Sequence, residues 1–377
     1  MNGTIIYVGN FELPNKNVAA LRVTNNGKLF SALGYNVVYL GTAYGKRFSG
    51  VRRSSYDDNI YEEAYPQGLK HWIKHIYQTD NIETVVSQYN DTFLIITYNV
   101  PFATYKAIKK VFGRKKIRVA YDCTEWNDYS EGLFLKGLYK KHDEKQIRTR
   151  LHTICDNIIV ISSLMERQYQ EKNLLKLPPL VDIDDPIWHQ ERQNNPDIFE
   201  FCFAGSNLDG TIAKKEKLNE VVSAFCEIDN PAIRLKVVGL TSEDYCKAYP
   251  EHETMALKDN RISFLGNVAH KDSVWHVINC DCYIFIRESS RRNNAGFPTK
   301  FVESYTCGVP IITTDVSDIK AYADSDVTVL DTADKQSITS AMENMISNKK
   351  TKLNSKMTFD YHEFINSSKD WFMKAFD

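Results

Sequence analysis

The sequence predicts an α/β protein in two domains, and three observations carry the prediction. Short apolar runs alternate with amphipathic stretches, the pattern of buried parallel strands joined by crossover helices. At 377 residues the chain exceeds what one hydrophobic core ordinarily organises. An aperiodic stretch at 176–197, rich in Pro, Asp and Asn, interrupts the alternation near the middle. The expected layout is a domain at 1–175, a linker at 176–197, a second domain at 198–355 and a returning C-terminal helix at 356–377.

Thr4–Val8 is an apolar run ending at Gly9, followed by a loop and an amphipathic stretch Val18–Leu33 that Gly34 closes; Asn36–Leu40 then begins a second strand. Both strands read as buried, so the unit is β-α-β with right-handed connection. Phe93–Thr97, Ile117–Tyr121 and Asn157–Ile161 supply further strands. Beyond the break come strand Phe199–Ala204, helix Lys217–Glu227, and strands Arg234–Val238, Arg261–Leu265 and Cys282–Ile286. The loops at strand C-terminal ends are the expected functional positions.

Composition excludes several classes. Net charge is −1, so no global field recruits nucleic acid. No apolar run approaches the roughly 20 residues that span a bilayer, and the N-terminus does not read as a signal peptide. The eight cysteines are scattered without Cys-x-x-Cys pairs, which points to the reducing cytoplasm. The nine histidines form no His-x3-His pair around an acid, and Asp182-Ile-Asp184 sits in the linker, so neither a metal nor another cofactor is expected.

The most informative stretch is 295–315, AGFPTKFVESYTCGVPIITTD. It predicts a tight turn, a helix from Thr299 to Thr306, a Gly308-Val309-Pro310 break and a buried strand Ile311–Thr314. Backbone N–H groups opening such a helix suit an anionic diphosphate. Glu303 lies about one turn further on, where a carboxylate accepts hydrogen bonds from a ribose diol.

On these residues the chain resembles the GT-B-fold retaining glycosyltransferases of family 4, glycosyl transferases group 1. Glu303 matches the second acid of that family's Glu-x7-Glu signature, whereas the first falls at Ala295. The resemblance implies two Rossmann-like domains facing a central cleft, with the C-terminal helix returning to the N-terminal domain. It implies a hexosyl unit moved from a nucleoside-diphosphate sugar, UDP-sugar favoured, to a glycan or lipid-linked glycan of cell-surface polysaccharide biosynthesis, with anomeric configuration retained. It places the donor at Gly9, Gly205, Asn267, Val268, Gly296, Phe297, Pro298, Thr299, Lys300 and Glu303. The family's clamping arginine falls at Ser206, leaving Lys214, Lys215 or Lys217 as the cation, with Lys215 chosen. The departing diphosphate itself helps deprotonate the acceptor.

Arg287, at the tip of a strand, is a second candidate for bidentate phosphate contact. Arg291 and Arg292 read as riding on a loop. Asp122 and Glu125 follow the strand Ile117–Tyr121 and are the candidate catalytic, acceptor-orienting acids; the alternative for Asp122 is a helix cap. Trp126 offers a sugar-stacking face or packs in the core, and Arg22 faces cleft or surface. Leu133–His152 and Gly68–Tyr77 are basic amphipathic segments, solvated faces or peripheral membrane contacts. Two rival readings are a non-catalytic binding or scaffold subunit, which Ala295 suggests, and a nucleotide-sugar epimerase on the same fold.

Overall fold

A computed structural model of the chain describes residues 2–14, 16–126, 134–193, 195–205, 214–349 and 355–376. The chain divides into two compact units, Met1–Leu180 with Ala295–Phe297 and Asp360–Asp377, and Val181–Asn294 with Pro298–Phe359.

The first unit is built on β1 (Thr4–Gly9), β2 (Asn36–Ala43), β3 (Val51–Arg53), β4 (Ile60–Ala64), β5 (Thr92–Tyr98), β6 (Arg118–Cys123), β7 (Asn157–Val160) and β8 (Asn173–Lys176). They form one sheet in the order β3-β4-β2-β1-β5-β6-β7-β8. Its pairings are parallel except for edge strand β3, which runs antiparallel to β4. Residues Thr4–Val8 of β1 are all buried, which is why the strand reads as a continuous apolar run rather than an alternation. The following helix, Val18–Ala32, is entered at Asn17, whose side chain accepts from the Ala20 N–H.

The C-terminal helix Ile365–Phe376 returns to this unit. Trp371 Nε1 donates to the Asn173 carbonyl at 3.1 Å, and Asn173 Nδ2 donates back to the Trp371 carbonyl at 3.0 Å. Phe372 packs against Phe30 and Tyr35, with ring centroids 5.4 and 4.6 Å away. Each of these two aromatic anchors contributes on the order of 2–3 kcal/mol through burial.

The second unit carries β9 (Phe199–Ala204), β10 (Ile233–Val238), β11 (Ile262–Phe264), β12 (Cys282–Ile284), β13 (Ile311–Thr314) and β14 (Val327–Leu330). All pairings are parallel, in the order β11-β10-β9-β12-β13-β14. From β9 the chain winds outward through β10 and β11, then returns to build β12, β13 and β14 on the other side. The order therefore reverses between β9 and β12, leaving a crevice at their carboxyl ends.

The stretch expected as a linker is shorter and more structured than the sequence suggested. Lys176 still belongs to β8, Leu177–Leu180 stays with the first unit, and Pro186–Trp188 forms a helical turn with Trp188 buried.

Candidate functional site

The reversal point of the second unit gathers the charged residues. Arg287 lies three residues past β12, and its main chain is fixed to β13: its N–H donates to Thr314 Oγ1 at 2.9 Å, and that hydroxyl donates to the Arg287 carbonyl at 2.6 Å. The guanidinium grips Glu216 with two bonds, Nε to Oε2 at 2.9 Å and Nη2 to Oε1 at 2.5 Å. Both partners are buried, Glu216 completely. Burial alone would raise the Glu216 carboxyl, but the charges of Arg287 and Lys300 outweigh it and hold the group below the usual range.

Two lysines crowd this pair. Much of the Lys215 side chain is exposed, yet its amine is pushed down to about 8 by lost solvation and by the Arg287 charge, with Arg292 and Lys300 adding to it. Lys300, one residue into the helix Thr299–Thr306, is lowered by burial and sits 5.6 Å from the centroid of the Phe203 ring. Among the described residues, Lys215, Arg287 and Lys300, with Arg292 acting on them as well, stand against Glu216 and Glu303, so positive charge is in excess when both lysines are protonated.

The helix itself is set by its flanks. Pro298 precedes it and supplies no side-chain cap. Its carbonyl receives the Phe301 and Val302 N–H groups at 3.1 and 3.4 Å. At the other end Gly308 adopts φ 71°, which lets its own N–H reach the Tyr305 carbonyl at 2.9 Å and the Val309 N–H reach the Ser304 carbonyl at 3.2 Å. Glu303 projects half-buried, its Oε1 3.1 Å from His270 Nε2. That hydrogen bond raises the imidazole above its ordinary value despite partial burial.

His270 opens the helix His270–Ile278, just after the turn at Gly266 (φ 65°), Asn267 and Val268. Sequence reasoning missed His270 and Glu216. The signal for His270 was its position, three residues past Asn267 at the start of a helix. Glu216 had none, since its burial depends on Arg287, 71 positions away.

Other predicted positions are distributed as follows. Gly205 directly follows β9 and donates its N–H to the Val238 carbonyl at 2.9 Å. Arg287 is not a free phosphate ligand as expected, because Glu216 occupies its fork. Lys214 is exposed, while Lys217 forms an ion pair with Glu288. Arg291 and Arg292 are exposed on a short helix, Arg291–Ala295, rather than on a loop. Gly296 and Phe297 group with the first unit, as does Ala295, which is fully buried and accepts a 2.7 Å hydrogen bond from Ser162 Oγ. Ser206 lies outside the described residues. A cavity of about 540 Å³ opens beside Arg287, lined also by Lys217, Glu288, Thr314 and Asp315.

In the first unit the expected acceptor acid Asp122 is corrected. It is fully buried and bound by Arg22, with Nη2 to Oδ1 at 2.7 Å and Nε to Oδ2 at 3.1 Å, and it also accepts from Tyr7. A carboxylate so enclosed orders the interior and meets no acceptor. It lies within β6 rather than at the start of a described helix, and Arg22 is buried. Trp126 is likewise buried, edge-on to Tyr169, so it offers no sugar platform. Glu125 is exposed. Gly9 answers a packing need: a Cβ there would stand 2.7 Å from the Tyr98 carbonyl oxygen. Beside it, Asn99 holds φ 46° at the end of β5, the reversal point of this sheet.

Among the described residues no group of three or more His, Cys, Asp or Glu is arranged to hold a metal ion.

Residues 209–358 match the family described as Glycosyl transferases group 1. No curated protein sequence matches the chain with significance. Solved structures similar to it along its whole length include sucrose-phosphate synthase from Thermosynechococcus elongatus, at 12% identity, 99% coverage of each chain and a TM-score of 0.72. Anabaena HepE in complex with UDP and glucose is 12% identical, covers 99% of this chain and 100% of its own, and gives 0.67. The UDP-GlcNAc 2-epimerase of Methanocaldococcus jannaschii is 10% identical, with 98% and 99% coverage and a TM-score of 0.60. At such identities the likeness establishes architecture: the chain has the GT-B fold, with a C-terminal half similar to glycosyl transferases group 1.

Proposed function

We propose that the protein is a retaining hexosyltransferase that takes its sugar from a nucleoside diphosphate, UDP favoured, and delivers it to a glycan hydroxyl. The observation that carries the reading is the excess of positive charge at the β9–β12 reversal point, beside the start of the helix that presents Glu303. A diphosphate matches that charge in sign and size, and it gains negative charge as the glycosidic bond breaks, so the same cations favour departure. Lys215 and Lys300 act on the phosphates directly. Arg287 acts through Glu216, which keeps the cluster from repelling itself apart. Glu303 accepts from the ribose hydroxyls, and His270 holds that carboxylate in place. Asn267 and Val268 receive the base through their main chain.

In the transfer the anomeric carbon–phosphate oxygen bond breaks and a bond to the acceptor oxygen forms on the same face. The acceptor proton passes to the departing diphosphate. Glu125, exposed beyond β6, is the residue we assign to orient the acceptor. UDP and glucose, the molecules held in the Anabaena HepE complex, support UDP as the donor nucleotide and a sugar as acceptor. A lipid-linked intermediate of cell-surface polysaccharide is the acceptor we favour, and the eight free cysteines support a reducing, cytoplasmic setting.

Thermal unfolding with UDP, GDP and ADP tests the donor site first. A ligand at a hundred times its Kd stabilises the folded form by about 2.7 kcal/mol. Failure of every nucleoside diphosphate to raise Tm would sink the reading. Incubation with UDP-hexoses and NMR of the product then separates transfer with retention from a free epimerised nucleotide sugar, the outcome that would make this an epimerase.

A further inference from the structure

We propose that the first unit carries a binding site for an uncharged pyranose ring, an aromatic platform formed by Tyr44, Tyr65 and Trp72 and edged by the Asn10 amide. β4, β2 and β1 are parallel neighbours in the sheet, so the residues that directly follow them, Tyr65, Tyr44 and Asn10, leave its carboxyl edge together. The Tyr44 and Tyr65 rings stack with centroids 4.4 Å apart and planes 28° from parallel. Trp72, on the helix Leu69–Tyr77, stands edge-on to Tyr65 at 5.4 Å. Tyr65 covers one face of the Tyr44 ring, yet Tyr44 stays 39% exposed.

Backbone contacts fix the platform before any ligand arrives. The Tyr65 N–H donates to the Ala43 carbonyl at 3.2 Å, and the Thr42 N–H donates to the Phe11 carbonyl at 2.8 Å. The second bond fastens the loop after β1 onto β2, and Gly41 permits it, since a Cβ there would stand 2.5 Å from the same oxygen. Asn10 Oδ1 accepts from the Tyr44 hydroxyl at 2.6 Å and from Thr42 Oγ1 at 2.8 Å. That double acceptance sets the orientation of the amide and leaves Nδ2 as a donor. Among the described residues, Asn10 Nδ2, the Tyr65 hydroxyl and Trp72 Nε1 donate to no partner.

These features select the ligand. An aromatic face suits C–H groups, and the unengaged tips suit hydroxyls; a pyranose offers an apolar ring face rimmed by hydroxyls. Glu12, whose charge acts on the Tyr44 phenol, is paired with Lys16 at 2.9 Å, and Glu62 with Arg52 at 2.6 Å. The unengaged groups of the platform itself are uncharged, which favours a neutral saccharide over a phosphate. The binding site stands by itself; its role, holding a sugar of the acceptor, rests on the sugar-transfer reading.

Saturation-transfer NMR of the full chain with the methyl pyranosides of glucose, galactose and mannose, without nucleotide, tests the platform. At least one should receive saturation, strongest at the C–H groups of one ring face, while sorbitol, an open-chain polyol, receives none. Tyr44→Ala should weaken binding roughly tenfold with circular dichroism unchanged, since the side chain is partly exposed. Asn10→Ala should weaken it roughly fivefold, and Tyr44→Phe, which keeps the ring, by less than about threefold. No saturation of any of the three glycosides, equal saturation of sorbitol, or full binding by Tyr44→Ala overturns the proposal. In a transfer assay Tyr44→Ala should raise the KM of the acceptor and leave that of the nucleotide sugar unchanged; a rise in the donor KM alone overturns the acceptor role. Loss of sugar binding with the UDP thermal shift intact would sink the platform alone, and the converse would sink the donor reading alone.

Discussion

Each unit buries an arginine–carboxylate pair near the carboxyl ends of its central strands, and the two pairs are built for different ends. In the first, Arg22 and Asp122 cancel one another. The Arg22 Nη1 also donates to the Leu177 carbonyl at 3.0 Å, and Asn26 and Tyr7 close over Asp122. No charge is left over and no face meets solvent. In the second, Arg287 and Glu216 cancel, but Lys215 and Lys300 remain beside them with lowered amines. A balanced buried pair orders the interior; an unbalanced one beside a crevice waits for an anion. The same residue types therefore give structure in one unit and a ligand site in the other, and the arithmetic of charge separates them.

The sharpest way to break this contrast is Asp122→Ala. Removing one partner of a buried pair leaves the other charge uncompensated, at a cost of about 3–5 kcal/mol. Thermal unfolding should show a large fall in Tm, with UDP binding by the remaining folded protein unchanged. A variant of normal stability that has lost only transfer activity would restore Asp122 to the catalytic role its position in the sequence suggested.

The same contrast explains what the sequence made legible and what it hid. Thr299–Thr306, Ile311–Thr314 and Phe199–Ala204 were legible because local signals mark them: Pro before the helix, Gly after it, and unbroken apolar runs. Edge strand β3 and its neighbour β4 were not: β3 has only three residues, and it meets β4 through a cross-strand ion pair, Arg52 on Glu62 at 2.6 Å, that local alternation does not announce. The short strand β8 was hidden against the Pro-rich stretch that follows it. Among site residues, Lys300 and Glu303 were named from their spacing to the helix start, and Lys215 from the resemblance. The fates of Asp122 and Arg287 did not, since each is decided by a partner far along the chain.

The second test removes surplus charge instead of a balanced partner. Lys215→Ala and Lys300→Ala should each weaken UDP binding ten- to a hundredfold, as loss of a charge-assisted contact of about 1.5–3 kcal/mol predicts. Apo stability should hold or rise, because a like charge leaves a crowded cluster. Titration of UDP affinity adds a signature. Free Lys215 gives up its proton near pH 8, whereas a bound diphosphate would hold it, so binding above that pH must take up a proton. Calorimetry across the range should show affinity falling as pH rises through about 8, and the fall should vanish in Lys215→Ala. A fall in stability comparable to that of Asp122→Ala would erase the distinction between the two clusters.

The smallest expected effect belongs to His270. Its Nε2 reaches Glu303 rather than any phosphate, so it positions the carboxylate and carries no share of the surplus charge. His270→Gln keeps a donor near that position and should weaken UDP binding three- to fivefold, on the order of one net hydrogen bond. Uridine monophosphate should lose the same factor, since the ribose is common to both. The folded imidazole is raised from 6.5 by Glu303, so its contribution to stability is complete below that value and fades as pH rises through the folded one. Unfolding measured across that window should show a slope in the native chain that His270→Gln removes. A loss confined to the diphosphate would instead assign His270 to the cation cluster and merge the ribose contact with the phosphate site.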